Sequence, residues 1–250
     1  MTLSGFIAEA LRPMRRLFPD RCAGCGAGET SMEQPMLCSR CLGSVEYPPK
    51  NICCVCGRGL DFDYDIETGD AYSCGECLNQ PPAYEQLRHA LAYSGPVRDI
   101  IHAFKFSGRA HLWRGLAALA EERLLDWLSE WPGAMVIPVP LAPRKLFTRG
   151  YNPPYLLARH FADKAGLVMA DGAIRRIRAT TPQFGLNAGE RAENVKGAFA
   201  IHDGRALEGR RVILFDDIFT TGATVRECVK TIRKAKPEAV RVAALCRAGF

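Results

Sequence analysis

Several common signals are absent from this chain of 250 residues. It has no run of eighteen apolar residues, so we expect no membrane-spanning helix. It contains neither the G-x-x-x-x-G-K-[ST] pattern of a P-loop nor the G-x-G-x-x-G pattern of a dinucleotide-binding fold. Its 5 histidines form no metal-spaced pair, and nothing resembles a Ser-His-Asp or Cys-His nucleophile set. If the protein is an enzyme, its catalysis must therefore depend on electrostatics and positioning.

The first residues also lack the apolar run of a secretory signal peptide. In MTLSGFIAEALRPMRRLF, such a run is interrupted by Glu9, Arg12 and Pro13. Arginines also occur in mitochondrial transit peptides, but Glu9 and the nearby cysteines favour an amphipathic helix over residues 1–20. We therefore expect a cytoplasmic protein, in which thiols stay reduced.

Charge is divided unevenly along the chain. Residues 1–86 hold 7 Lys and Arg against 12 Asp and Glu, whereas residues 87–250 hold 26 against 15. The net charges of the two parts are therefore −5 and +11. We expect the basic part to meet an anion, either phosphate groups on a small molecule or a nucleic-acid backbone. Charge alone does not choose between these two.

Cysteine is concentrated near the N-terminus, where nine of the eleven lie between Cys22 and Cys77. Eight of them form C-x-x-C pairs: Cys22 and Cys25, Cys38 and Cys41, Cys53 and Cys56, and Cys74 and Cys77. Two thiolates on one tight turn suit a tetrahedral metal ion better than a disulfide in a reducing compartment. Four thiolates leave no open coordination position, so we expect two structural zinc sites of four cysteines each.

The order in which the pairs combine cannot be read from their spacing. Sequential pairing needs the shorter loops and is favoured over interleaved pairing. Residues 58–73 carry too few aliphatic side chains for a core, so a metal must order this segment. The sequence therefore predicts a double zinc-binding module over residues 21–80, with Cys54 as a spare thiol.

Beyond a stiff connector at residues 79–83, helical and strand patterns alternate. The predicted order is a helix at 97–106, a helix at 112–128, a strand at 134–140, a basic loop at 143–152, a helix at 153–165, a weak strand at 174–177, a strand at 211–215, a helix at 223–235 and a strand at 240–245. This order predicts an α/β domain over residues 87–250, a parallel sheet with helices on both faces.

Residues 212–224, VILFDDIFTTGAT, join an apolar strand to two adjacent carboxylates. Neighbours on a strand point to opposite faces, and burying a charge on each face would cost several kcal/mol apiece. We therefore expect Asp216 and Asp217 at the exit of the strand. There they can accept hydrogen bonds from the vicinal hydroxyls of a ribose, with Mg²⁺ offsetting their repulsion of a phosphorylated ligand.

The loop after the carboxylates supplies the complementary half of this predicted site. It consists of Thr220, Thr221, Gly222, Ala223 and Thr224. The glycine allows close approach of the backbone, the hydroxyls donate, and the N-terminus of the next helix attracts phosphate. The alternative is that Asp217 or Thr221 only caps that helix, which explains one residue but not the whole set.

The same stretch resembles the phosphoribosyl pyrophosphate (PRPP) motif of type I phosphoribosyltransferases, in which an apolar strand and paired acids precede T-T-G-x-T. In that family the acids hold the ribose 2′ and 3′ hydroxyls and the loop holds the 5′-phosphate. The resemblance implies the first role for Asp216 and Asp217 and the second for residues 220–224.

A wider resemblance, along nearly the whole chain, is to the ComF (ComFC/GntX) family. It is carried by LFPDRCAGCG, YSGPVRDIIHAFKFSGR, IPVPLAPRKLFTRGYN, TPQFGLNAGERAENVKGAFA and VILFDDIFTTGAT. Members join an N-terminal zinc-binding segment to a phosphoribosyltransferase domain and are linked to DNA uptake during natural transformation. The resemblance implies a double zinc ribbon, a type I phosphoribosyltransferase-like sheet and PRPP with Mg²⁺. The doubled cysteine at Cys53 and Cys54 is unusual and leaves the zinc ligand open between them.

Cations outside the motif are candidates for the pyrophosphate group. Departure of pyrophosphate from ribose C1 places negative charge on the leaving group, which nearby cations stabilise. Arg144, Lys145 and Arg149 follow the strand that ends at Val139, and the resemblance places pyrophosphate contacts there. Of these, Arg144 and Lys145 are expected to assist catalysis together with the paired acids. A solvated basic loop is the alternative.

Residues 181–199 are predicted to be a mobile segment that closes over the substrate and excludes water, as in phosphoribosyltransferases. Gln183, Arg191 and Asn194 are its candidate ligands, and the alternative is an ordinary surface loop. Lys105, near the end of the first predicted helix, is a further candidate that reaches in from a hood over the site. For Lys105 the alternative is a purely structural helix end.

Three hypotheses follow from these features. The first is a phosphoribosyltransferase that uses PRPP and Mg²⁺ with an unidentified acceptor. The second is a competence or DNA-processing protein in which the PRPP site is regulatory, while the basic half or the zinc module contacts single-stranded DNA or protein partners. The third is a zinc-organised interaction module with a vestigial pocket. The intact motif weighs against the third, and the first two are compatible.

Overall fold

The computed structural model describes residues 21–27, 29–30, 36–60, 72–181, 185 and 187–249. The helix expected over residues 1–20 and the candidate ligand Gln183 lie outside these ranges. The elements are α1 Ser39–Gly43, α2 Gly75–Asn79, β1 Gln86–Ala92, α3 Gly95–Phe106, a 3₁₀ helix Ala110–Leu112, α4 Trp113–Ser129, β2 Met135–Pro138, α5 Pro143–Arg149, α6 Pro153–Ala165, β3 Val168–Met169, β4 Ile174–Arg176, α7 Ala188–Val195, β5 Phe199–Ile201, β6 Arg211–Phe219, α8 Ala223–Arg233 and β7 Ala239–Arg247.

Five parallel strands form the main sheet, in the order β1-β7-β6-β2-β3. Residues of β6 alternate between two apolar cores, because successive side chains on a strand point to opposite faces. Ile213 and Phe215 pack with α3, α4 and α6, whereas Val212 and Leu214 pack with α8. Helices therefore cover both faces of the sheet, which confirms the predicted α/β class.

Two predicted loops contain helices instead. The basic stretch at residues 143–152 was expected to be a loop, but it forms α5 between Pro143 and a left-handed C-cap at Gly150, where φ is 80°. Residues 181–199 were expected to be mobile, but they include α7. Asn187 and Glu190 form a capping box there, and this pattern of N-cap and third residue was overlooked in the sequence.

The strand pattern needs three corrections. The weak strand predicted near 174–177 exists as β4, but it pairs antiparallel with β5 in a separate two-stranded sheet. The strand predicted at 211–215 continues to Phe219. The edge strand β1 was not predicted at all, because Arg88 and His89, one on each face, interrupt its apolar residues. These polar side chains are satisfied by the cysteine-rich region.

The turn that carries Cys53 and Cys56 is attached to the edge of the sheet. Four consecutive carbonyl oxygens of this turn accept hydrogen bonds from the sheet domain: Cys54 from Arg88 (2.9 Å), Val55 from the Leu87 N–H (2.6 Å), Cys56 from Arg247 (2.5 Å) and Gly57 from His89 (2.9 Å). Burial, offset in part by the hydrogen bond to Gly57, lowers the pKa of His89 to about 4. The ring is therefore neutral near pH 7.

The first cysteine group packs on the face of the sheet that α3, α4 and α6 cover. Cys22, Cys38 and Cys41 belong to the same apolar core as α3 and α4. Gly24 lies so close to α3 that a Cβ atom there would approach the Cβ of Pro96 to 2.9 Å. The two cysteine groups therefore contact different parts of the same domain.

Candidate functional site

The eight cysteines of the C-x-x-C pairs form two groups, each with all four sulfur atoms within 4.8 Å of one another. The groups are Cys22, Cys25, Cys38 and Cys41, and Cys53, Cys56, Cys74 and Cys77. Sequential pairing is thereby confirmed. Cys54 lies outside both groups, and its Sγ is 3.3 Å from Ser73 Oγ.

The sulfur positions suit a tetrahedral ion. Sulfurs at about 2.3 Å from a tetrahedral zinc lie about 3.8 Å from one another. The Cys25 and Cys38 Sγ atoms are 4.0 Å apart, and the Cys56 and Cys74 Sγ atoms are 3.7 Å apart. These distances, and the absence of a fifth donor in either group among the residues that the structure describes, fit closed structural sites.

Backbone N–H groups stabilise the thiolate form of one cysteine in each group. Burial opposes ionisation of Cys53, but N–H groups of Cys56 and Cys74 donate to its Sγ at 3.4 and 3.2 Å. The net result lowers the pKa of Cys53 to about 7. In the first group the Cys38 N–H donates to Cys22 Sγ at 3.3 Å in the same way. A metal ligand must be deprotonated, so these N–H groups favour the binding form of Cys53 and Cys22, whereas burial raises the pKa of Cys41, Cys56 and Cys77.

A cavity of about 820 Å³ opens beyond the carboxyl ends of β2 and β6, where ligands bind in sheets of this kind. Its wall includes the carboxyl end of β6, the loop into α8, one face of α3, and residues of α5, α7 and β4. The predicted site residues in this wall are Lys105, Lys145, Arg149, Arg191, Asp216, Asp217, Thr220, Gly222, Ala223 and Thr224.

Both carboxylates lie inside β6 and not beyond its exit, so that expectation was wrong. Asp216 is 7% exposed and Asp217 is 5% exposed. The position is tolerated because β2 ends opposite Phe215, which leaves one edge of β6 open to the cavity from Asp216 onward. Lys105 Nζ also lies 2.8 Å from Asp217 Oδ1 and compensates one charge.

Because one lysine lies beside two neighbouring carboxylates, the negative charge of the pair is only partly compensated. Burial, and then the charge of Asp217, raise the pKa of Asp216 to about 7. The Asp217 N–H donates to Asp216 Oδ1 at 2.9 Å and favours the ionised form, but it does not outweigh burial. A carboxyl group in this state gains from an added cation or from hydroxyl donors.

The loop that follows requires glycine at one position. Gly222 has φ of 74° and is the N-cap of α8, and no side chain caps this helix. The alternative that Asp217 or Thr221 serves as the cap is therefore wrong. A Cβ at residue 222 would lie 2.6 Å from Phe219 Cζ, so both backbone conformation and space exclude larger residues.

Not every predicted residue reaches the cavity. Arg144 is exposed and Thr221 is partly buried, and both lie outside the lining. Thr221 Oγ1 is buried without a hydrogen-bond partner in the part of the chain that the structure describes. Asn194 is occupied elsewhere, because its Oδ1 accepts from the Thr181 N–H at 3.1 Å and its Nδ2 donates to the Thr181 carbonyl at 2.9 Å.

The structure also places polar residues in the wall that the sequence did not reveal. They are Tyr93, Arg98, Asp99, His102, Asn152, Arg176, Thr180 and Thr181. They come from segments far apart in the chain, and although several lie in the stretches that resemble the ComF family, none of them was a predicted site residue. No local signal in the sequence distinguishes Arg176, which is partly buried in the structure, from its exposed neighbour Arg175.

Comparison with known proteins gives two domain families. Residues 154–249 match the phosphoribosyl transferase domain, and residues 14–80 match the double zinc ribbon domain. These matches confirm the predicted fold class, and with the two cysteine groups they support structural zinc. No helix in the described ranges is long and apolar enough to cross a membrane.

Several curated proteins are similar along most of their length. Competence protein F of Haemophilus influenzae is 32% identical over 240 residues, which cover 94% of this chain and 100% of that protein. DNA utilization protein YhgH of Escherichia coli is 31% identical over 227 residues, covering 85% and 97%. Competence protein ComFC of Streptococcus pneumoniae is 26% identical over 160 residues, covering 64% and 67%.

Proposed function

We propose a function from the premise that this chain belongs to the ComF family, as its similarity to competence protein F establishes. The domain with the cavity binds PRPP together with Mg²⁺ and transfers its phosphoribosyl group to an acceptor. The relatives carry the names of competence and DNA utilization proteins, and the protein accordingly serves the uptake or processing of DNA. Zinc in the two cysteine groups has a structural role.

The observation that carries this proposal is one cavity that joins three kinds of group. Asp216 and Asp217 offer buried carboxylates at the open edge of β6. Gly222 begins a helix whose first N–H groups attract phosphate. Lys145 and Arg149 add positive charge from α5. A ribose diol, a 5′-phosphate and a pyrophosphate group require this combination of acceptors, N–H donors and cations.

The carboxylate pair also fits a divalent cation. Lys105 is paired with Asp217, while burial, followed by the charge of Asp217, raises the pKa of Asp216. Mg²⁺ prefers carboxylate and phosphate oxygens, so the ion bound to PRPP would be held near Asp216 and Asp217 and would neutralise charge on the pyrophosphate. The protein's own part is to hold the ribose through these two residues.

Transfer breaks the bond between ribose C1 and the pyrophosphate oxygen while the acceptor forms a bond to C1. Negative charge grows on the leaving pyrophosphate, where Lys145 and Arg149 stabilise it. Positive charge grows on the sugar ring, where the ionised carboxylates stabilise it. Release of pyrophosphate from PRPP with a panel of candidate acceptors tests this step. A PRPP-sensing protein without transfer would bind PRPP and release no pyrophosphate with any acceptor.

Binding itself is tested by thermal unfolding. PRPP with Mg²⁺ should raise the melting temperature, because at 100 times its Kd a ligand adds about 2.7 kcal/mol to the free energy of unfolding. The double substitution Asp216→Asn with Asp217→Asn should abolish the shift. Asp163→Asn, on the exposed face of α6, is the matched control and should keep it. No shift in the unaltered protein would refute the proposal.

A second function, binding of single-stranded DNA, is favoured by the rim of the cavity. Phe147 on α5 is 89% exposed and Phe106 on α3 is 68% exposed. The Arg149 guanidinium lies 5.4 Å from the Phe106 ring centroid, and Arg144 is exposed on the same short helix as Phe147. Exposed aromatic rings among cations are the surface on which unpaired bases stack.

Fluorescence anisotropy with a labelled single-stranded oligonucleotide tests this second function. Affinity should fall steeply with salt, and Phe147→Ala should weaken it by roughly tenfold, since stacking contributes about 1–3 kcal/mol per base. Phe147→Trp preserves a stacking surface and should retain affinity. Binding that is undetectable, or that does not change with salt, would count against this role.

A further inference from the structure

Arg176 lines the cavity but belongs to no recognised motif. It is the last residue of β4, and it is partly buried, whereas its neighbour Arg175 is exposed and outside the cavity wall. Its guanidinium lies 5.4 Å from the ring centroid of Phe199 on β5, which is within cation–π range. It also donates to Thr180 Oγ1. These contacts orient the side chain at the cavity wall.

The charge of Arg176 lacks a partner that would explain a structural role. Its Nε is buried and has no hydrogen-bond acceptor among the residues that the structure describes. Within the same ranges, no carboxylate forms an ion pair with it, and burial lowers its pKa. A buried cation without a counter-ion is costly, so structural arginines are normally paired. An anionic ligand would supply the missing partner.

Other cations share this part of the cavity. After burial, the charges of Arg176, Arg149 and Lys105 lower the pKa of Lys145, so the four groups lie near one another. Lys105 is already paired with Asp217. Lys145, Arg149 and Arg176 form no ion pair within the described part of the chain. Three cations that lie in the wall of one cavity and form no ion pair in the described ranges suit a ligand that carries several negative charges.

We propose that Arg176, together with Lys145 and Arg149, binds the pyrophosphate group of PRPP. This inference rests on the proposed function, which assigns the ribose diol to Asp216 and Asp217 and the 5′-phosphate to the loop at Gly222. The pyrophosphate is then the remaining anion, and Arg149 and Arg176 both lie close enough to Lys145 that, after burial, their charges lower its pKa. The planar guanidinium of arginine donates two parallel hydrogen bonds to phosphate oxygens, which a lysine cannot reproduce.

Isothermal titration with three probes, each with Mg²⁺, separates the parts of the site. The probes are PRPP, inorganic pyrophosphate and ribose 5-phosphate. Arg176→Gln should weaken PRPP and pyrophosphate by about 10–100-fold, the effect of losing a charge-assisted hydrogen bond. Ribose 5-phosphate lacks the pyrophosphate group, so its affinity should stay within about twofold. Arg175→Gln removes the same charge from the adjacent residue and should leave all three affinities unchanged.

Arg176→Lys provides a second variant that keeps the charge and should show a smaller loss for PRPP and pyrophosphate. Thermal unfolding of each unliganded variant establishes that it is folded before titration. An unchanged PRPP affinity in Arg176→Gln, or an equal loss for ribose 5-phosphate, would overturn the assignment. If the unaltered protein bound none of the probes, the proposed function would fall and the assignment with it.

Discussion

The cysteine-rich region and the cavity domain are held together by different forces. Around the second cysteine group, the buried apolar residues are the four cysteines themselves, with Val55 and Leu60 packed against them. The cavity domain has two extensive apolar cores, one on each face of its sheet. Two cysteines three positions apart in the sequence are enough to predict a turn that binds a metal ion. A cavity wall depends on contacts between distant segments, and spacing alone does not specify it.

The two regions are nevertheless joined through buried contacts. Arg247 is 4% exposed, donates to the Cys56 carbonyl and stacks at 4.9 Å from the ring centroid of Phe219. Phe219 in turn touches Gly222 at the start of the proposed phosphate loop. A continuous set of contacts therefore connects the second cysteine group to the cavity.

Removal of zinc should have the largest effect, and it should unfold the cysteine-rich region while the cavity domain stays folded. Structural zinc in small modules contributes about 10–16 kcal/mol of apparent binding free energy, which is also folding free energy. After chelation, amide hydrogen exchange in residues 36–60 and 72–80 should approach that of an unfolded chain. Exchange in β6 and β7 should remain slow, because most residues of their two cores come from the sheet and its helices. Persisting protection of the cysteine turns would contradict this comparison.

Single cysteine substitutions sharpen the same test. Cys53→Ser should reduce the zinc content measured by atomic emission from two ions per chain to one. Cys54→Ser changes the adjacent thiol, which lies outside both groups, and should leave two ions bound. Equal zinc content in the two variants would show that the ligand has been assigned wrongly.

Gly222→Val should damage the cavity domain while sparing the cysteine turns. It combines an unfavourable positive φ with a Cβ placed 2.6 Å from Phe219 Cζ. The expected loss of folding stability is roughly 2–4 kcal/mol, together with loss of PRPP binding. Chemical denaturation and titration measure these two effects, and zinc content should stay at the unaltered level. Normal PRPP affinity in this variant would place the phosphate elsewhere.

Arg247→Met tests the connection between the regions. The substitution keeps an apolar contact to Phe219 but leaves the Cys56 carbonyl without its buried donor, at an expected cost of about 1–3 kcal/mol. Faster exchange should therefore appear both at the turn of Cys53 and Cys56 and at the loop of Gly222. Faster exchange on one side only would show that the contacts do not couple the two regions.

A pH dependence of stability that arises in the cavity domain is also expected. The folded state raises the pKa of Asp216 from an ordinary value of 3.8 to about 7. The lowered pKa of His89 contributes in the opposite sense between about pH 4 and 6.5. At Asp216 the folded state holds a proton that the unfolded state releases, so the contribution of this group to the stability of the unliganded protein should fall as pH rises. The slope approaches about 1.4 kcal/mol per pH unit. Asp216→Asn should remove this slope in urea denaturation series, and an unchanged slope would assign it to other groups.

The sequence predicted what local patterns determine. Cysteine spacing gave the four C-x-x-C pairs, shorter loops favoured the sequential pairing that the structure shows, and the helix predicted at about residues 153–165 is found at Pro153–Ala165. It did not predict that Asp216 and Asp217 lie inside β6. The cost of burying these two carboxylates is lower than the sequence indicates, because β2 ends early and Lys105 approaches Asp217.

Two other features depended on long-range contacts and had no local signal. β1 carries a partly buried Arg88 and a buried His89, and both side chains donate to carbonyl groups of the cysteine turn. Arg176 reaches the cavity because β4 pairs with β5, whereas the sequence suggested a strand of the main sheet. The motif therefore located the proposed ribose site, and the structure supplied the remaining wall.

A crystal structure of the protein with PRPP and Mg²⁺ tests the central claim most directly. The ribose hydroxyls should lie within hydrogen-bond distance of the Asp216 and Asp217 carboxylates, and the 5′-phosphate should contact the backbone N–H groups of residues 220–224. A sugar bound elsewhere, with Asp217 still paired only to Lys105 and the loop at Gly222 free of phosphate, would contradict the account.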